Sequence, residues 1–254
     1  MRARVLSLLF WGFIVVSSIA LFPLAVLLWA ATVLFDRRLV LLHRFTCFWA
    51  SLYTWLNPAW RVVIEGRDKI RRGVAYVMVA NHQSLLDILV LFRLFAHFKW
   101  VSKVENFRVP FIGWNMRLNR YIPLRRGDGE SIRQMMAACE ATLAAGSPVM
   151  IFPEGTRSTD GRLKAFKHGA FTLAQRTKCA ILPIVVTGTS RALPKRGFVL
   201  RGRHAIRVRV LDEIPVESFA GETVEQLTAR VRGRIAAELE KMEAQAPALA
   251  PGAA

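Results

Sequence analysis

Apolar and polar positions change their pattern twice along this chain. From Val5 to Phe35 no charged side chain interrupts 31 positions dominated by Leu, Val, Ile, Phe and Trp, more than the roughly 20 residues a helix needs to cross a bilayer core. Pro23 lies in the middle of the run, and proline is expected to kink the helix or split it into a hairpin, so the segment is either transmembrane or re-entrant. A cleaved signal peptide is the alternative reading, favoured by Arg2 and Arg4 in front and opposed by the length of the run and the lack of a small-residue cleavage site. A second apolar stretch, 39–60, mixes aromatics with a few polar groups and ends at Asn57 and Pro58, the pattern of an interfacial or core-packed helix.

From Arg61 onward short β-rich runs alternate with helical periodicity. Strands are predicted at 61–65, 74–80, 99–103, 121–124, 148–152, 181–187 and 205–211, and helices at 85–96, 129–145, 166–177 and 223–243. The last helix puts Val224, Leu227, Val231, Ile235 and Leu239 on one face, and Thr223 with Gln226 reads as its capping box. This alternation predicts an α/β fold, a single domain over 61–245 whose mixed sheet is covered by helices. An N-terminal membrane-associated helical segment, 1–60, precedes it, and the Ala- and Pro-rich tail 246–254 is expected to be disordered.

Charge sharpens this picture. With 36 Lys and Arg against 18 Asp and Glu, the chain carries +18 at neutral pH, and because residues 212–254 hold eight acidic and four basic side chains, the excess sits in front of them. Beside an apolar anchor such a surface suits anionic lipid headgroups and phosphorylated substrates rather than nucleic acid. Arg2 and Arg4 at one end of the run balance Arg37 and Arg38 at the other, so flanking charge alone leaves orientation open; the expectation is the cell inner membrane with the catalytic part on the cytoplasmic side. Cys47, Cys139 and Cys179 are odd in number and lack paired spacing, which signals neither a disulfide framework nor a zinc site.

Two turns carry the candidate chemistry. Asn81-His82-Gln83-Ser84-Leu85-Leu86-Asp87 follows the strand YVMVA and opens a helix, at the carboxyl end of a strand where α/β sheets place their sites. His82 and Asp87 would diverge on a continuous helix, so they meet only if the helix begins after the histidine, with Ser84 as its N-cap. The carboxylate would then hold one ring nitrogen while the other takes a proton from a hydroxyl. An equally available reading is that Ser84 and Asp87 form a capping box around an ordinary loop histidine. The second turn, Phe152-Pro153-Glu154-Gly155-Thr156-Arg157-Ser158, offers a glycine for close approach, a hydroxyl and a guanidinium fork for phosphate oxygens. Standing alone it also reads as a surface turn with a local Glu154 to Arg157 ion pair. Lys103, Arg125, Arg126, Lys164 and Lys167 lie near strand ends or loops. There is no nucleophile elbow, no G-x-G-x-x-G and no P-loop.

Together the N-H-x4-D block at 81–87 and the F-P-E-G-T-R-S block at 152–158 resemble the glycerolipid acyltransferases, in particular the 1-acyl-sn-glycerol-3-phosphate (lysophosphatidic acid) acyltransferase family. The likeness covers roughly residues 60 to 215, including KVENFRVPFIGW from Lys103, IPLRR from Ile122 and ILPIVVTG. Arg125 stands where the family usually has an acidic residue. The resemblance implies acyl transfer without a covalent intermediate: His82, oriented by Asp87, deprotonates the acceptor hydroxyl, which attacks the thioester of acyl-CoA or acyl-carrier protein. It implies Glu154, Gly155, Thr156 and Arg157, with Arg126 and Lys103, as binders of the acceptor phosphate, a lysophospholipid as acceptor, membrane lipid as partner, and no metal or cofactor.

Overall fold

The computed structural model describes residues 2–158, 160–195, 198–200 and 202–245; the tail 246–254, for which disorder is expected, lies outside them. The strands are β1 (Trp60–Glu65), β2 (Val77–Ala80), β3 (Lys99–Lys103), β4 (Ile122–Leu124), β5 (Val149–Ile151), β6 (Ile181–Thr187) and β7 (His204–Val210). They form one sheet in the order β1-β7-β6-β2-β5-β3-β4. All neighbours are parallel except β6 and β7, which run antiparallel, so the sheet is mixed. The helices are α1 (Arg2–Thr32), α2 (Val40–Trp55), α3 (Leu86–Phe92), α4 (Ile112–Leu118), α5 (Gly129–Ala144), α6 (Gly169–Thr177), α7 (Thr189–Ala192) and α8 (Val224–Ala244).

Alternation along the central strands feeds two cores, because successive side chains of a strand point to opposite faces. Met78 and Ala80 of β2, with Leu182, Ile184 and Val186 of β6, pack on one side with Leu86, Val90 and Leu91 of α3. Val77 and Val79, with Ile181 and Val185, face Met135 and Cys139 of α5, Phe171 and Leu173 of α6, and Leu227, Val231, Ile235 and Leu239 of α8. The apolar face read from the α8 sequence is therefore the buried one, and its capping box is formed, Thr223 Oγ1 accepting from the Gln226 N–H while Gln226 Oε1 accepts from the Thr223 N–H.

Of the two outcomes expected at Pro23, the split into a hairpin does not occur. Pro23 lies inside one continuous helix, α1; the missing N–H costs a single hydrogen bond to the carbonyl four residues back, and the rest of a long apolar helix sustains the span. The chain reverses instead at 33–39, and α2 folds back on α1, with Ser17 Oγ 2.9 Å from Tyr53 Oη. Helix α2 is core-packed: Cys47 and Ala50 join the same cluster as Met78 and Val186. Residues 3–32 are long and apolar enough to cross a membrane by length and composition.

Candidate active site

Three adjacent parallel strands, β6, β2 and β5, end on the same edge of the sheet, so the turns leaving them are brought together. The turn after β2 carries His82. Here the helix starts at Leu86, which leaves His82 off the helix and lets its Nδ1 reach Asp87 Oδ2 at 2.9 Å. A carboxylate only accepts, so Nδ1 carries the proton and Nε2 is the ring's basic nitrogen. The same Oδ2 accepts the backbone N–H groups of Gln83 (2.6 Å) and Ser84 (2.8 Å). Ser84 itself is not the N-cap, a position held by Leu85 without a side-chain cap bond. Its hydroxyl donates to the Leu193 carbonyl at 2.6 Å and accepts from the Leu86 N–H at 3.2 Å. Half of the capping-box reading thus survives, in Asp87, within the same geometry that holds the histidine.

The turn after β5 is bolted to the first. Glu154 Oε1 accepts the His82 N–H at 2.6 Å and Oε2 accepts the Lys164 N–H at 3.1 Å, while the Ser158 N–H donates to the His82 carbonyl at 2.8 Å. Glu154 is buried, and burial raises its pKa against the lowering effect of those two amides. The local ion pair with Arg157 is not formed, since the Glu154 carboxylate is engaged with backbone instead. Gly155 adopts φ +68°, and the stem of Lys167 lies so close that a Cβ would stand 2.9 Å from its Cε, so glycine is needed here for both conformation and space. Thr156 and Arg157 follow, half-buried, and the Arg157 carbonyl accepts from Lys195 Nζ at 2.7 Å.

Arg126 lies near Arg157: partial desolvation first, then the Arg157 charge, lower its pKa from the ordinary arginine value, with Glu105 opposing. Lys103 is ion-paired with Glu105 at 3.1 Å, an exposed contact. Arg125 turns toward Asp128, 3.8 Å away.

Three residues that were given no role of their own in the sequence turn out to shape the site. Asn81 pairs with the Val186 backbone of β6 in both directions, Nδ2 to the carbonyl at 2.9 Å and Oδ1 from the N–H at 2.8 Å. Phe152 stacks on the His82 ring. Thr189, just beyond β6, donates to Asp87 Oδ1 at 2.5 Å. The available signal was positional: once β2, β5 and β6 are taken as parallel neighbours, polar or aromatic residues directly after each strand become candidates.

The chain belongs to the acyltransferase family, whose model matches residues 61–187. It is similar to a chloroplastic 1-acyl-sn-glycerol-3-phosphate acyltransferase of Arabidopsis thaliana, 37% identical over 211 residues, covering 82% of this chain and 57% of that protein. A 1-acyl-sn-glycerol-3-phosphate acyltransferase of Saccharomyces cerevisiae is 36% identical over 201 residues, 77% of this chain and 65% of the relative. The chain thus spans about six tenths of the length of these curated relatives. Its fold matches the crystal structure of the 1-acyl-sn-glycerophosphate acyltransferase PlsC from Thermotoga maritima with a TM-score of 0.81 at 23% identity, covering 96% of this chain and 97% of that one.

Proposed function

We propose that this chain transfers a fatty acyl group from acyl-CoA or acyl-carrier protein to the free hydroxyl of 1-acyl-sn-glycerol 3-phosphate, giving phosphatidic acid. His82 Nε2 takes the hydroxyl proton, the alkoxide oxygen attacks the thioester carbonyl, and the proton passes to the thiolate as the C–S bond breaks and the ester forms. Asp87 holds the imidazole in its tautomer and balances the imidazolium. Gly155, Thr156, Arg157 and Arg126 grip the acceptor phosphate, and Lys103, already paired with Glu105, contributes less. Glu154 serves the same site from behind, by fixing the turn that carries His82.

The observation that supports this reading is the double tie between the two turns, His82 N–H to Glu154 and Ser158 N–H to the His82 carbonyl, which holds the turn of His82 against the turn of Arg157. The lipid acceptor is supported by α1, whose outer face exposes Leu6, Leu8, Leu9, Val16 and Leu27. This helix lies along the domain: the Leu200 N–H donates to Ser7 Oγ and Trp11 Nε1 to the Phe198 carbonyl, while Phe22 meets Phe111 and Trp114. Two domain contacts about 16 Å apart along the axis favour a helix lying in one leaflet over one crossing the bilayer.

Purified full-length protein assayed with acyl-CoA and acyl-carrier protein against lysophosphatidic acid, lysophosphatidylglycerol, lysophosphatidylcholine and a lyso-ornithine lipid tests the assignment. The expected result is preference for lysophosphatidic acid and a loss on the order of 100-fold or more in His82→Ala. Preference for the phosphate-free acceptor would overturn the phosphate site, and full activity in His82→Ala would remove the base.

A further inference from the structure

Asp87 is fully buried, and a buried carboxylate needs partners for both oxygens. Oδ2 has three donors: the His82 ring and the backbone of Gln83 and Ser84. Oδ1 has one, the hydroxyl of Thr189. Thr189 is itself fully buried and comes from a different part of the chain, 102 residues downstream. Its placement is built by the backbone before it. Strand β6 is locked beside the His82 turn by Asn81 on Val186, then Gly188 bends at φ +83°, packed so tightly that a Cβ would lie 2.2 Å from the Ala205 carbonyl oxygen. That bend delivers the next residue's hydroxyl to Asp87.

We infer that Thr189 is a positioning residue for the acyl transfer, acting through Asp87 to hold the His82 imidazole in its reactive orientation; the inference rests on the reading of His82 as the base. With Oδ1 fixed by Thr189, the carboxylate plane cannot rotate about its Cβ–Cγ bond, so Oδ2 stays aligned with Nδ1–H. Without the hydroxyl, Oδ1 is left unsatisfied in a buried site, and rotation to find another donor breaks the alignment that directs Nε2 at the substrate. The effect falls on the transfer step rather than on substrate binding, because Thr189 is buried behind Asp87.

The test compares full-length wild type with Thr189→Val, which exchanges the hydroxyl for a methyl of the same shape, and Thr189→Ser, which restores the donor. Should the valine chain not accumulate folded, Thr189→Ala makes the same comparison. Thr189→Val is expected to lower kcat about tenfold, the loss of one hydrogen bond to a charged group, with both KM values unchanged within about twofold, while Thr189→Ser recovers most of the rate. In an Asp87→Asn background the valine substitution should cost less than about twofold, since the two act as a unit. An activity-independent readout is the downfield ring proton of His82 in protein labelled with ¹⁵N-histidine, assigned by its loss in His82→Ala: it should shift or broaden in Thr189→Val and return in Thr189→Ser. An unmoved ring proton, a serine variant as slow as the valine, or a full tenfold loss in the Asp87→Asn background overturns the inference. A wild type that acylates no lysolipid, with the ring proton still sensitive to Thr189, would fail the functional reading and leave the contact standing.

Discussion

The ring of Phe152 lies flat against that of His82, with centroids 3.9 Å apart and planes 9° from parallel. Trp100 backs Phe152 at 5.3 Å, so the imidazole is fixed in its plane by an aromatic stack and at its edge by Asp87. The negative face of the phenyl ring also favours a positively charged partner. Phe152→Leu is expected to leave the fold intact, being close to volume-conserving. It should reduce kcat about two- to tenfold, the worth of one aromatic contact, with little change in either KM. Steady-state kinetics against both substrates decide this, and a raised KM at constant kcat would assign Phe152 to substrate contact instead.

Arg126 and Arg157 differ from the third basic candidate in one respect. Neither forms a salt bridge among the described residues, whereas Lys103 is paired with Glu105. Two neighbouring guanidiniums that share no carboxylate are stabilised by an anion between them. Arg157→Ala and Arg126→Ala are each expected to raise the acceptor KM by roughly tenfold or more and leave the donor KM alone, while Lys103→Ala does much less. Equal effects on donor and acceptor would remove the phosphate assignment.

What was legible in the chain follows from what local sequence encodes. The strands β3 and β6 coincide with the runs read for them; β6, ILPIVVT, is an apolar β-branched run that carries its own boundaries, whereas β3, KWVSK, is marked by Trp100 and Val101 between two lysines. The His82 to Asp87 contact was conditional on where a helix begins, and Leu86 as first helical residue satisfies the condition. Helix α4 was not read as a helix: it is seven residues long and enters through Phe111 at φ +59°, a conformation that no local rule predicts for phenylalanine. The predicted helix 85–96 stops at Phe92, with Phe95 at φ +51° beyond it. Thr189 was invisible, and Asn81 was visible only as a letter of the first motif, for a different reason. Their partners are more than 100 residues away, so only the strand order β6-β2-β5 brings them to the histidine.

Two glycines should respond to alanine in different degrees. At Gly155 the new methyl would meet the flexible stem of Lys167 at 2.9 Å, at Gly188 the backbone oxygen of Ala205 at 2.2 Å, and both residues have positive φ. A lysine side chain moves aside, whereas a strand backbone does not. Gly155→Ala is expected to cost about 1–2 kcal/mol of stability and weaken acceptor binding; Gly188→Ala should cost about 3 kcal/mol or more and depress kcat as well, by displacing Thr189. Thermal unfolding of the two variants in the same detergent ranks them. Gly155→Ala proving the more damaging would contradict the packing around β7.

Lys99 is buried, and its ammonium donates to the Asn119 carbonyl at 2.8 Å. Burial first, then the charge of Arg120, brings its pKa from 10.5 down to about 7. In the unfolded chain this amine stays protonated up to its ordinary value, so between pH 7 and 10.5 the unfolded state binds more protons than the folded one. Stability from this group therefore rises with pH across that window, by up to about 1.4 kcal/mol per pH unit, and is lost as pH falls through the folded value. His97, pushed from 6.5 to about 3 by burial and by Lys99, acts with the same sign in a lower window. Lys99→Met keeps the apolar stem and removes the ammonium. It is expected to be more stable than wild type at pH 7, with the advantage shrinking toward pH 10, when both proteins are unfolded thermally in detergent across that range. A wild-type minus variant difference that does not change with pH would show that Lys99 keeps its proton in the folded state.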